Sequence, residues 1–268
     1  MVTLRQLFEK GYFGKMLSTQ LIMEQIRDHP IVATISIAVG AVLASEVMWK
    51  AVLYFRDKRE KARRVHEVVC FNELGEICAT QHLRNCMPGS PEPVVFRCKN
   101  KHCTLRNVGK IVEQIDRAEH SIDLAIYTFT SLTLAEAFKR ALQRGVNIRI
   151  ISDGEMVYSG GSQITTLARF GVPVRVPITT YMMHNKYCII DGVERVEEIR
   201  MLKKRKWMRP CYSIAIIGSV NWTRQGFGGN WEACVITHDE KLTLMLQAEF
   251  NRMWKAFEKA ENKIIQKE

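Results

Sequence analysis

Residues 121–153, SIDLAIYTFTSLTLAEAFKRALQRGVNIRIISD, change their apolar period twice. In 121–130 the residues Ile122, Leu124 and Ile126 recur at every second position, which sets them on one face of a β-strand. Residues 133–145 form an amphipathic helical pattern closed by Gly145, and 146–153 return to strand character. The same rhythm extends outward on both sides. Upstream, 108–120 carries Val108, Ile111, Val112 and Ile115 at helical spacing. Downstream come a helical pattern around 161–171, an apolar strand at 172–176 and another at 186–191. Strands alternating with helices predict a layered α/β domain, and the chain shows no internal duplication.

The chain is 268 residues long and 47% apolar, enough for one sizeable core plus an appendage. Its formal net charge of +11 excludes nothing about the fold but implies an anionic partner, either nucleic acid or a phospholipid surface. The run 30-PIVATISIAVGAVLA-44 is uncharged, and the apolar character continues through Glu46 and Lys50 to Phe55. That length suffices for a membrane span if the two charges lie near an interface or snorkel; a buried core helix is the alternative. The next residues, 56-RDKREKARR-64, hold six basic and two acidic side chains. By the positive-inside rule this flank, and with it the rest of the chain, faces the cytosol.

A second stretch carries the chemistry. In 182-MMHNKYCIIDG-192 the residues His184, Lys186 and Asp191 stand in the order His-x-Lys-x4-Asp, once only in the chain. On a strand, His184 and Lys186 share a face. Downstream follow 218-GSVNWT-223 and Glu232. This ordered set resembles the signature of the phospholipase D superfamily, which implies a phospholipase D-like domain with a mixed sheet flanked by helices. An imidazole can attack phosphorus and form a covalent phosphohistidine, dividing one hard displacement into two easier ones. In that reading His184 is the nucleophile, and Lys186 and Asn221 bind the non-bridging oxygens, with Ser219 as a further donor. Glu232 orients His184 through its other ring nitrogen, and Asp191, counted with the site, is mainly structural. No catalytic cofactor is expected. A second imidazole must protonate the leaving oxygen, so one motif per chain implies a symmetric homodimer with His184 of each subunit in a shared site.

The single motif, the apolar N-terminal helix, a cysteine-rich segment and the wording 121-SIDLAIYTFTS-131 together resemble the mitochondrial cardiolipin hydrolase family over roughly residues 65–255. The resemblance implies a single-pass protein of the mitochondrial outer membrane. It also implies one of two activities: cutting single-stranded RNA in piRNA production, or hydrolysing cardiolipin to phosphatidic acid. A catalytically inactive surface adaptor is a third reading. The family carries a zinc-finger-like element, and five of the eight cysteines fall within 70–103. No cleavable signal peptide is apparent, so reduced thiols or metal are favoured over disulfides. Cys78, Cys86, Cys98 and His102 are the proposed ligands of a structural zinc, with Cys103 as an alternative to Cys86.

The expected organisation is an N-terminal segment (1–28), an anchor (29–55), a basic linker (56–68), the zinc-finger-like segment (69–106) and the catalytic domain (107–260). One departure from the family stands out. Its members join the strands after the motif by a short hairpin, whereas here an insertion at about 192–213 intervenes, with 214-IAII-217 serving as the second strand. Its basic core, 203-KKRKW-207, suits phosphate backbones, but a solvated loop or a gene-model error ranks above an RNA role. The insertion also raises the question whether Asn221 and Glu232 still pack beside His184.

Overall fold

A computed structural model describes residues 27–63, 65–80, 82 and 98–258. The chain divides into two compact units, Met1–Arg63 and Arg64–Glu268.

In the first unit, helix α1 (Pro30–Arg63) runs unbroken for 34 residues. Its stretch Pro30–Phe55 is long and apolar enough to cross a membrane. Ile31, Ile35, Val42, Trp49 and Val52 are all exposed, so this is not a core helix. The two charges within the stretch, Glu46 and Lys50, lie one turn apart and pair at 3.8 Å, so each offsets the other.

The second unit is built on a seven-stranded sheet. Its strands are β1 (His66–Phe71), β2 (Ser121–Ile126), β3 (Asn147–Ser152), β4 (Val174–Arg175), β5 (Lys186–Ile190), β6 (Ile214–Gly218) and β7 (Glu232–Thr237). Their order is β1-β7-β6-β5-β2-β3-β4. β2, β3 and β4 are parallel and the remaining pairs antiparallel, giving the mixed sheet of the expected fold. Three helices cover one face: α2 (Thr104–Arg117), α3 (Leu132–Gln143) and α4 (Gln163–Arg169). Ile111, Ile115, Leu124 and Phe138 meet there in the larger core. The alternation read from 121–130 therefore points at this face. The opposite face is buried as well, because α7 (Glu240–Ala256) sets Phe250 and Met253 against Ala125, Ile151 and Ile189. Asp123 also lies buried, and its carboxylate accepts two bonds from Arg149, at 2.8 and 2.6 Å.

Two expectations need correction. The sheet begins at His66, so β1 straddles the boundary assigned between linker and cysteine-rich segment and belongs to the catalytic unit, paired along its length with β7. The insertion is a solvated loop only in part: its basic core, 203–207, is exposed and outside any helix or strand, but a helix precedes it. Val193–Leu202 forms helix α5, which packs on α7 and buries Ile199. The returning chain is fastened by His120 Nε2 to the Arg209 carbonyl at 2.7 Å and by the Ser213 hydroxyl, which donates to the Asp191 carbonyl at 2.8 Å.

Strand register gives the sheet two distinct ends. At one end lie Ile126 opposite Lys186, Gly218 opposite Cys234 and Phe71 opposite Glu232. At the other lie Ile122 opposite Ile190, Ile190 opposite Ile214 and His66 opposite Thr237. The insertion joins β5 to β6 at this second end, so β5 and β6 pair in register irrespective of its length.

Candidate active site

His184, Lys186, Ser219, Asn221 and Glu232 all fall at the first end of the sheet, because β5 starts, β6 stops and β7 starts there. The insertion, a strand's length away, leaves the two halves of the motif together. Gly218 permits the closest approach: a Cβ at this position would lie 2.1 Å from the Ala233 carbonyl oxygen. The segment after β2 ties the halves. Tyr127 N–H donates to the Asn185 carbonyl at 3.1 Å, and Trp222 N–H to the Thr128 carbonyl at 3.1 Å.

The His184 side chain is exposed, with the Tyr127 ring edge-on at a centroid distance of 4.8 Å. Lys186 donates to the His184 carbonyl at 2.9 Å and lies 5.3 Å from the centre of the same tyrosine ring. Partial burial lowers the Lys186 pKa from its ordinary value, and the Glu232 carboxylate opposes this. The Ser219 hydroxyl donates to Glu232, and Asn230 donates to the other carboxylate oxygen at 3.2 Å. Asn221 Oδ1 is buried with no hydrogen-bond partner among the described residues.

Glu232 was expected to orient His184, yet its hydrogen bonds among the described residues go to Ser219 and Asn230. Tyr127 and Asn230 are additions that the sequence reading missed; Tyr127 directly follows β2, and Asn230 stands two residues before the motif acid. Asp191 lies elsewhere. It ends β5 at the opposite end of the sheet, with φ 51°, 3% exposed. Its carboxylate accepts from the backbone N–H groups of Glu119, His120 and Ser121 at 2.9, 2.7 and 2.9 Å. It builds the turn from α2 into β2, and its hydrogen bonds among the described residues reach none of the other motif residues.

A second cluster sits beside β1 at the catalytic end. One ligand atom each from Cys78, His82, Cys98 and Cys103 all lie within 4.8 Å of one another. Cys78 and Cys98 are expected ligands and Cys103 is the expected alternative to Cys86, but His82 takes the place of His102, which turns its Nδ1 toward Asn72 Nδ2 at 3.4 Å. Cys86 itself lies outside the described residues. His82 has no motif spacing of its own in the sequence that marks it as a ligand. It is one helical turn from Cys78, with its N–H bonded to the Cys78 carbonyl at 3.1 Å, a spacing that lets both side chains reach one ion. Thr104, next to Cys103, donates to the Phe227 carbonyl at 3.2 Å within α6 (Arg224–Gly228), the helix between Asn221 and Glu232. The cluster thus braces the second half of the site.

Residues 111–254 match the family described as cardiolipin synthase, PLD-like domain. The chain is 72% identical over 251 residues to the mitochondrial cardiolipin hydrolase of Drosophila melanogaster, covering 94% of this chain and 99% of that one. It is 30% identical to the protein of the same name from Canis lupus familiaris, over 82% and 79% of the two chains. Among solved structures it is similar to a phospholipase D family member, Nuc from Salmonella typhimurium, at 24% identity and a TM-score of 0.46, covering 56% of this chain and 88% of that one. The gathered His184, Lys186, Ser219, Asn221 and Glu232 agree with a match that spans more than half the chain and a relative that spans nearly all of it, and the chain belongs to the mitochondrial cardiolipin hydrolase family of phospholipase D-like phosphodiester hydrolases.

Proposed function

We propose that the protein is a membrane-anchored, metal-independent endonuclease of single-stranded RNA, of the kind that serves piRNA production, acting as a homodimer through a phosphohistidine. The observation that carries this reading is the exposed His184 imidazole beside the Lys186, Ser219, Asn221 and Glu232 group. One imidazole forms a bond to phosphorus while the bond from phosphorus to the leaving oxygen breaks. The partner's His184 donates its proton to that oxygen, and then, as a base, takes a proton from the water that cleaves the phosphorus–nitrogen bond. Lys186 and Asn221 stabilise the charge on the non-bridging oxygens. Exposed Tyr181 and Trp231, within three residues of His184 and adjoining Glu232, offer rings on which unpaired bases can stack without sequence preference.

The test is cleavage of an end-labelled single-stranded RNA by the full-length protein in excess chelator, beside vesicles containing cardiolipin. RNA cleavage that survives chelation supports the reading. Release of phosphatidic acid with intact RNA replaces it by the second reading, cardiolipin hydrolysis, which the names of the relatives and the anchor helix favour. With five motif residues gathered, the inactive-adaptor reading is the weaker. The proposed place of work is the mitochondrial outer membrane with the catalytic unit in the cytosol; the mitochondrial names of the relatives and the basic C-terminal end of α1 support it.

Lys186 gives a pH test. Phosphate binding needs its ammonium, and its pKa is lowered, so activity falls with rising pH before an ordinary lysine would titrate. In a pH–rate profile on a single-stranded DNA substrate, Lys186→Arg should be slower yet move this alkaline limb upward. An unmoved limb assigns it to another group.

The Cys78, His82, Cys98 and Cys103 donors suit one zinc ion with a full protein shell, so its contribution is structural. Its removal loosens α6 and with it Asn221 and Glu232. Metal analysis should find one zinc per chain, lost in Cys98→Ser and His82→Ala and retained in His102→Ala. Loss in His102→Ala alone restores the ligand set expected from spacing.

A further inference from the structure

The end of the sheet opposite the catalytic group is basic for two reasons that lie far apart in the sequence. The chain enters the catalytic unit there, at Val65 and His66; the His238 N–H donates to the Val65 carbonyl at 3.0 Å, and His66 Nδ1 is 2.8 Å from Thr237 Oγ1. The six basic residues of 56–64 directly precede this entry point in the sequence. The insertion is at the same end, two to three strands in from β1, which is roughly 10–15 Å across the sheet. Residues 203–209, KKRKWMR, hold five basic side chains and no acidic one. Met201 through Trp207 are all exposed, Leu202 at 71% and Trp207 at 69%. Beside them opens a cleft of about 700 Å³ lined in part by Arg117, Arg144, Lys203, Arg205 and Arg209. Its carboxylates are already engaged, Asp116 with Arg140 at 2.9 Å and Glu119 with Arg209 at 3.7 Å.

We infer that the insertion is a membrane-docking element: Lys203, Lys204, Arg205 and Lys206 engage anionic lipid headgroups, with Trp207 and Leu202 entering the interface, so that the catalytic end points away from the bilayer. Three considerations favour a lipid surface over RNA. The chain context is that of a membrane protein: a helix long and apolar enough to span a bilayer, Pro30–Phe55, precedes the unit in the same chain. The composition, basic residues with an exposed indole and leucine, matches an interfacial anchor. The position, a strand's length from His184, leaves the patch off the path of a phosphodiester in the site. Each basic residue near an anionic surface strengthens docking about fivefold, so four together exceed tenfold even with incomplete additivity.

The experiment places the full-length protein in nanodiscs of phosphatidylcholine, with or without phosphatidylserine, and follows amide hydrogen exchange over 201–209. Expected is exchange at least about tenfold slower on anionic discs, the protection being lost in high salt. The variant K203Q/K204Q/R205Q/K206Q should lose it while its hydrolysis of a short soluble phosphodiester stays unchanged. Trp207→Ala, which leaves the charge intact, should reduce it in part. Equal exchange on both discs overturns the inference. Protection of 201–209 by added single-stranded RNA on neutral discs, without protection by anionic lipid, assigns the patch to RNA and overturns it equally.

Discussion

His184→Ala should lower phosphodiester cleavage by at least about 10³-fold with little change in stability, because the side chain is exposed and its loss removes the proposed nucleophile. The same residue tests the shared site. If His184 of one subunit attacks and His184 of the other protonates the leaving oxygen, a dimer with one intact imidazole lacks one of the two functions. Mixing wild type with His184→Ala protein under subunit exchange should then reduce activity as the square of the wild-type fraction. A linear dilution means each subunit holds a complete site, and the second imidazole is not required. Among the described residues Asn221 Oδ1 is buried without a hydrogen-bond partner, and both Glu232 carboxylate oxygens are taken by Ser219 and Asn230 rather than by His184.

The parts of this structure that were legible in the sequence are those in which one physical signal dominates. Ile122, Leu124 and Ile126 alternate because α2 and α3 cover one face of β2, and the motif residues could be placed because strand ends follow directly from strand order. Where two signals overlapped, the reading failed. β1 (HEVVCF) lies between a basic run and a cysteine-rich one, and composition on both sides drew the boundary through it. Helix α5 was hidden because VERVEEIRML places charge around most of its surface and buries only Ile199, so no apolar stripe announced it. His82 belongs to a ligand set that only the fold assembles, across an internal stretch of the chain.

Asp191 shows how a motif position and a functional position come apart. As the last member of His-x-Lys-x4-Asp it was counted with the site though read as mainly structural, and the five residues of β5, at about 3.3 Å each, carry it roughly 16 Å from Lys186. There it satisfies three buried backbone N–H groups at once. Asp191→Ala should destabilise the catalytic unit by roughly 3–5 kcal/mol, since each orphaned buried donor costs about 1–3 kcal/mol and the site relaxes only in part. Asp191→Asn keeps the shape and tolerates the positive φ, but turns an amide N–H₂ toward a donor, and should lose less, about 2 kcal/mol. Burial, the dominant influence, raises the carboxyl pKa, while the three N–H groups oppose it. The folded state then keeps this proton to higher pH than the unfolded chain, so its contribution falls as pH rises from the unfolded pKa to the folded one and is level above. Asp191→Asn should remove that slope. Denaturant titrations across this pH window, with kcat measured on the folded fraction, separate the roles: a kcat within about twofold of wild type marks Asp191 as a builder of the β2 and β5 ends, whereas a 10²-fold loss at unchanged stability returns it to the chemistry.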